Sequence, residues 1–178
     1  GPGVIAKIGD RAKMLNMHKP LIVTTEGLSK IDNGPVKQTI ASLEKAGVDY
    51  AVFTGAEPNP KIRNVQAGKK MYQDENCDSI ITVGGGSAHD CGKGIGIVLT
   101  NGDDISKLAG IETLKNPLPP LMAVNTTAGT GSELTRHAVI TNEKTHLKFV
   151  VVSWRNIPLV SFNDPMLMLD IPKNITAA

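Results

Sequence analysis

The strongest constraint on this chain lies between Ile80 and Gly96. Ser79-Ile80-Ile81-Thr82-Val83 is almost wholly apolar or β-branched, which suits a strand buried on both faces. It runs into Gly84-Gly85-Gly86-Ser87 and then into a helical stretch reaching about Leu99. Glycines at the end of a parallel strand let a phosphate approach the backbone closely. The helix that follows offers free N–H groups and a partial positive charge to an anion. Ser87 followed by Asp90 has capping-box spacing, with Asp in place of Glu or Gln. A serine-capped glycine turn with no ligand would use the same residues, so this segment alone leaves both readings open.

Two standard phosphate motifs can be tested against it. The P-loop needs Gly, four residues, then Gly-Lys-Ser/Thr. Gly86 and Gly92 are one residue too far apart, and Gly94 stands where the magnesium-binding hydroxyl belongs. The dinucleotide fingerprint Gly-x-Gly-x-x-Gly, counted from Gly84, meets His89 at its last position. ATP hydrolysis is disfavoured, while a dinucleotide can bind by the same physics at another spacing.

The flanking segments predict an α/β fold. Leu21 to Thr25, Tyr50 to Phe53 and Leu121 to Val124 read as further strands. Between the first two, Asn33 is the expected N-cap, with Pro35 just inside the helix. Val36, Ile40, Leu43 and Ala46 form its apolar stripe, and Gly47 stops it. Val65 to Asn76 reads as a more polar helix. Alternating strands and helices predict a Rossmann-like parallel sheet with helices on both faces. After Arg136 the texture changes: Ala138 to Thr141, a polar turn at Asn142 to Thr145 and Lys148 to Val152 predict a β-hairpin. Leu159 to Phe162 could add a strand, and Pro165 to Ile171 is a short apolar segment. Asn174 looks like the N-cap of a helix cut off three or four residues later, which leads us to expect an excerpt of a longer protein.

Composition narrows the function classes. At 178 residues one domain is expected. Nineteen Lys plus Arg against 17 Asp plus Glu leave a net charge of +2, with no basic footprint for nucleic acid or for a membrane surface. No apolar run reaches the roughly 18 residues of a membrane span. Cys77 and Cys91 are too few for a disulfide framework, which favours a reducing, cytoplasmic setting. Eighteen glycines against only six aromatics suggest many tight turns or close backbone approaches.

A second polar turn follows the strand ending at Val124. Asn125-Thr126-Thr127-Ala128-Gly129-Thr130-Gly131-Ser132-Glu133 gathers four hydroxyls and two glycines. In a doubly wound sheet, ligands lie outside the carboxyl ends of the strands, so two such turns predict one ligand spanning both. A helix-capping loop is the competing reading. His18, His89, His137 and His146 form no metal-ligand pair, and neither cysteine has ligand spacing. The chain therefore reads as a nucleotide holder without visible catalytic chemistry.

Taken together, these residues resemble the iron-containing, or group III, alcohol dehydrogenases. Glu57-Pro58-Asn59-Pro60, Gly84-Gly85-Gly86-Ser87 with Asp90, and Thr126-Thr127-Ala128-Gly129-Thr130 with Ser132-Glu133 occur in that family's order and spacing. The stretches Gly84 to Gly96, Ala109 to Leu114 and Lys148 to Asn156 look most like its propanediol branch. The resemblance implies a dinucleotide-binding domain over residues 1–178, trimmed at both ends, with the family's all-helical metal-binding domain absent from the chain. It implies NAD as cofactor and Fe(II) or another divalent metal bound by that absent domain. It also implies a small alcohol or aldehyde substrate (3-hydroxypropanal and 1,3-propanediol in the propanediol branch) and a homo-oligomer.

By the same resemblance Gly86, Ser87 and Asp90 hold the pyrophosphate end, Gly85 allows the approach, and Asn59 touches the cofactor. Thr126, Thr127 and Thr130 line the adenosine and ribose side, and Lys148 matches a family lysine near the nicotinamide ribose. Two positions depart. Thr25 stands where many NAD-specific relatives carry an aspartate that repels a 2′-phosphate, so NADP is also expected to fit, unless neighbouring Glu26 restores the charge. His137 stands where some relatives carry asparagine. Rival readings are a nucleotide sensor without redox chemistry, a lactaldehyde reductase or other short-chain alcohol enzyme of the family, and a synthase of the dehydroquinate type on the same fold.

Overall fold

The computed structural model describes residues 1–169. Five strands form a wholly parallel sheet: β1 (Pro20–Val23), β2 (Ala51–Phe53), β3 (Ser79–Gly84), β5 (Leu121–Asn125) and β8 (Val160–Asn163), in the order β2-β1-β3-β5-β8. Three more, β4 (Gly110–Ile111), β6 (His137–Asn142) and β7 (Leu147–Val152), form a small second sheet in the order β4-β7-β6. The helices are α1 (Ile8–Met14), α2 (Glu26–Ser29), α3 (Pro35–Ala46), α4 (Ile62–Asp74) and α5 (Gly86–Asn101).

Alternation along the buried strands sorts the core into two layers. Leu21, Ile80 and Leu121 face one way and pack with Val65 of α4 and Ile95 and Ile97 of α5. Ile22, Ile81 and Met122 face the other way, onto Ile8 and Ala12 of α1 and Val36 and Leu43 of α3. Each of these side chains contributes about 2 kcal/mol by leaving water. The α/β expectation of a parallel sheet covered on both faces is met. The chain lays β2 outside β1 and then returns to the other side of β1 for β3. The strand order thus reverses between β1 and β3.

The expected hairpin is present. β6 and β7 pair antiparallel from His137 opposite Val152 to Asn142 opposite Leu147. Its buried residues Ala138 and Ile140 join the layer that contains α5, so the hairpin covers that helix.

Several local expectations need correction. The N-cap of α3 is Gly34, because Pro35 takes the first helical position; Asn33 adopts a left-handed turn at φ 54°. Helix α4 begins at Ile62 and ends at Asp74, and α5 continues to Asn101. Helical cover from Val4 to Met14 carries no capping signal that marked it beforehand. A short 3-10 turn occupies Pro165–Met168, and the expected cap at Asn174 lies outside the described residues. Among those residues no helix is long and apolar enough to cross a membrane.

Candidate dinucleotide site

The first glycine turn forms as expected, but without its serine cap. Gly85 is the N-cap of α5 and no side chain caps it, so the Ser87–Asp90 capping box does not form. With the helix starting at Gly86, Ser87 and Asp90 lie inside its first turns and are free to bond elsewhere. Ser87 Oγ accepts from the Asn59 amide at 3.3 Å, and Asp90 Oδ1 accepts from Ser132 Oγ at 2.9 Å. Gly84 sits at φ 151°, and a Cβ there would stand 2.7 Å from Ala88 Cβ.

The second turn lies against the first. The Thr126 amide donates to the Gly84 carbonyl at 3.0 Å. A Cβ on Gly85 would stand 2.9 Å from Thr127 Oγ1, and one on Gly86 would meet Thr130 Cγ2 at 3.3 Å. No helix follows this turn, so the helix-capping reading is not realised; the chain passes from Asn125 through irregular backbone to β6. Asn125 Oδ1 accepts from the Thr127 amide at 3.2 Å and braces its entry.

Between the two turns opens a cleft of about 380 Å³. Gly86, Ser87 and Asp90 form one wall, and Thr130, Ser132, Thr135, His137 and Val139 the other. Burial pushes the Asp90 carboxyl above its usual range, opposed by the Ser132 hydroxyl and by Lys93. Thr126 is buried and serves through its backbone. Lys148 Nζ donates to Asn59 Oδ1 at 2.8 Å, so those two bridge from β7 to the segment before α4. The Thr141 amide donates to the Pro60 carbonyl at 2.8 Å and ties the same segment to β6.

Thr25 stands apart from these residues. It lines a second pocket of about 400 Å³ with Glu26, Gly55, Glu57 and Asn64. Its Oγ1 accepts from the Leu28 amide at 3.3 Å and caps α2. Glu26 is turned to Lys30, 2.6 Å away. Lys61 and Arg63 hold the Glu57 carboxyl well below its usual range, at about 2. Both carboxylates at this pocket are therefore paired with cations.

Sequence reasoning missed Lys93 altogether. It is fully buried, and its ammonium donates to the carbonyls of Ser132, Thr135 and His137 at 2.6, 2.7 and 2.9 Å. The available signal was a lone cation in the run Cys91-Gly92-Lys93-Gly94-Ile95, three residues past Asp90 and so on the same helix face. His89 is also buried; Nδ1 lies 2.7 Å from Thr82 Oγ1, and Nε2 has no hydrogen-bond partner among the described residues.

The arrangement suits a long anion lying across strand ends. Glycine backbone and an open helix terminus face a cleft with hydroxyls opposite, and neighbouring Cβ positions are closed by the partner turn. A metal is another matter: no group of three or more His, Cys, Asp or Glu among the described residues could hold one.

Known proteins resemble this chain in sequence and in fold. Residues 1–165 match the family model for iron-containing alcohol dehydrogenase. The 1,3-propanediol dehydrogenase of Citrobacter freundii is 58% identical over 178 residues, covering all of this chain and 46% of that protein. An alcohol dehydrogenase structure from Oenococcus oeni superposes with a TM-score of 0.96 at 76% identity, covering 100% of this chain and 46% of its own. The sulfoacetaldehyde reductase of Bifidobacterium kashiwanohense, solved in complex with NAD+, gives 0.87 at 32% identity over 99% of this chain and 46% of its own. The chain thus spans about half the length of the relatives it matches. By this match and this fold, the chain belongs to the iron-containing alcohol dehydrogenase family.

Proposed function

We propose that this chain is the dinucleotide-holding part of a metal-dependent alcohol dehydrogenase that interconverts 3-hydroxypropanal and 1,3-propanediol. The observation that carries the reading is the pair of interlocked turns, Gly84–Ser87 and Asn125–Glu133, at the carboxyl ends of the neighbouring parallel strands β3 and β5. Identity to a 1,3-propanediol dehydrogenase over the whole chain supports the substrate. A relative solved with NAD+ supports the cofactor.

In this reading Gly85 and Gly86 bring the backbone against the pyrophosphate, Ser87 donates its hydroxyl to it, Asp90 holds that end of the cleft through Ser132, and Thr127 and Thr130 line the adenosine and ribose side. Thr126 holds the two turns together through its amide. Asn59, fixed by Ser87 and Lys148, orients the ribose next to the nicotinamide, with the Lys148 ammonium supplying positive charge and His137 walling the cleft. Hydride transfer to or from the substrate carbon is the chemistry such a cofactor supplies when bound. The pocket at Thr25 takes the adenine ribose. Because Glu26 and Glu57 are both paired with cations, that pocket has no free carboxylate to repel a 2′-phosphate, and NADP is admitted as well as NAD. Iron, which the family name implies, has no ligand set among the described residues.

The test grafts residues 1–178 in place of the matching part of the Citrobacter freundii enzyme, with Fe(II) supplied. Oxidation of 1,3-propanediol with NAD+ or NADP+ is expected. Absence of turnover with either cofactor, in a chimera that folds, would sink the reading. A sensor without redox chemistry would bind NADH in the chain alone and give that silent chimera.

A further inference from the structure

A buried ammonium is expensive: removing it from water costs several kcal/mol unless hydrogen bonds replace the lost solvent. Lys93 is 0% exposed, on a helix where methionine or leucine would fill the same space without that cost. What the charge does is visible in its partners. The carbonyls of Ser132, Thr135 and His137 belong to the end of the irregular segment and the first residue of β6. A segment with no regular structure must satisfy its carbonyls elsewhere. Here three of them converge on one Nζ, and the same three residues present their side chains to the cleft wall. Asp90, one helical turn earlier on α5, bonds the Ser132 hydroxyl. Ser132 is therefore held at its side chain by Asp90 and at its carbonyl by Lys93. Glu133 is buried nearby, and one of its carboxylate oxygens lacks a hydrogen-bond partner among the described residues.

We propose that Lys93 is a positioning residue for the dinucleotide: by gathering the carbonyls of Ser132, Thr135 and His137, it sets the wall of the cleft that faces Ser87 and Asp90. This rests on the dinucleotide reading for its ligand, but not for the loop itself. Lys93 does not touch the cofactor; it acts through the backbone it holds. Lys93→Met keeps the length and apolar stem and removes every donor. Lys93→Arg returns charge and donors.

Two readouts on the full chain separate the possibilities. Amide hydrogen exchange over residues 132–137, without ligand, is expected to rise at least about tenfold in Lys93→Met while the sheet strands keep their protection. NADH affinity, read by nicotinamide fluorescence well below the unfolding temperature, is expected to fall at least about tenfold and to recover in part in Lys93→Arg. A folded Lys93→Met with exchange or affinity within twofold of wild type overturns the proposal, as does failure of Lys93→Arg to recover either. If Lys93→Met lacks cooperative unfolding, Lys93→Arg carries the test. Retained protection and NADH binding then support the role, and loss of both overturns it. Wild type that binds neither NADH nor NADPH sinks the dinucleotide reading, while the exchange arm still judges the loop.

Discussion

The two turns of the cleft reach the same place by opposite means. The turn after β3 is made of backbone: three glycines, one at φ 151°, and a helix that starts at once. The turn after β5 is made of side-chain bonds: Asn125 to the Thr127 amide, Ser132 to Asp90, and Lys93 to three carbonyls. The first is closed by the absence of atoms and the second by the presence of donors. Added volume should therefore break one, and removed polarity the other.

Acid offers the largest effect, and it enters just beyond the first turn, at His89 on α5. Burial pushes the His89 imidazole down to about 4 from 6.5, so the unfolded chain takes up a proton before the folded one does. Its contribution to stability is full above about pH 6.5 and is lost as the pH falls toward 4, a difference of about 3 kcal/mol. Denaturant unfolding across that window should show the loss, and His89→Gln should flatten it.

Next comes steric closure. Gly85→Val puts branched carbon where a Cβ alone lies 2.9 Å from Thr127 Oγ1. NADH affinity should fall about fiftyfold by fluorescence titration, with the far-UV spectrum unchanged. A fall of less than about threefold would mean the turns are not packed against each other as described.

On the side-chain-built turn a smaller change is expected. Ser132→Ala removes one hydrogen bond from the buried Asp90 carboxyl and should weaken NADH binding about fivefold. If it matched Gly85→Val, the distinction between the two turns would fail.

Smallest of all is a change in the outlying pocket. Thr25→Asp keeps a capping oxygen for the Leu28 amide, so α2 should persist. The new charge should lower NADPH use relative to NADH about threefold in steady-state rates of the Citrobacter freundii chimera. Equal effects on both would show that Thr25 does not bear on the 2′ position.

These differences explain what could be read from the chain itself. The parallel sheet was legible because Ile80, Ile81, Met122 and their neighbours are apolar on both faces. Helix α3 was legible because one face is apolar and Gly47 stops it. The Gly84–Ser87 turn announced itself because backbone geometry is written in glycine. The hold on the second turn was not legible, since it depends on Lys93 meeting carbonyls 39 to 44 residues away. Ser87 and Asp90 looked like a local cap because nothing in their spacing shows that each bonds a distant segment instead. Likewise, whether Glu26 restored a charge beside Thr25 turned on its ion pair with Lys30.

The glycines of α5 have a further consequence, for the order of folding. Gly86, Gly92, Gly94 and Gly96 make up four of its 16 residues, and each of the three interior ones costs about 1 kcal/mol of helix propensity against alanine. A Cβ on Gly92 would stand 2.1 Å from Thr82 Cγ2, so that glycine lets the helix lie down on β3, while a Cβ on Gly94 would stand 2.8 Å from Val65 Cγ2 of α4 and one on Gly96 2.9 Å from Leu118 Cδ2. Such a segment has no stability as an isolated helix, and it forms only as β3 and its neighbours form beneath it. A half-folded chain then presents no helix terminus to an anion. NADH binding would report completion of the sheet, and a nascent or damaged chain would be invisible to the cofactor until that step is done.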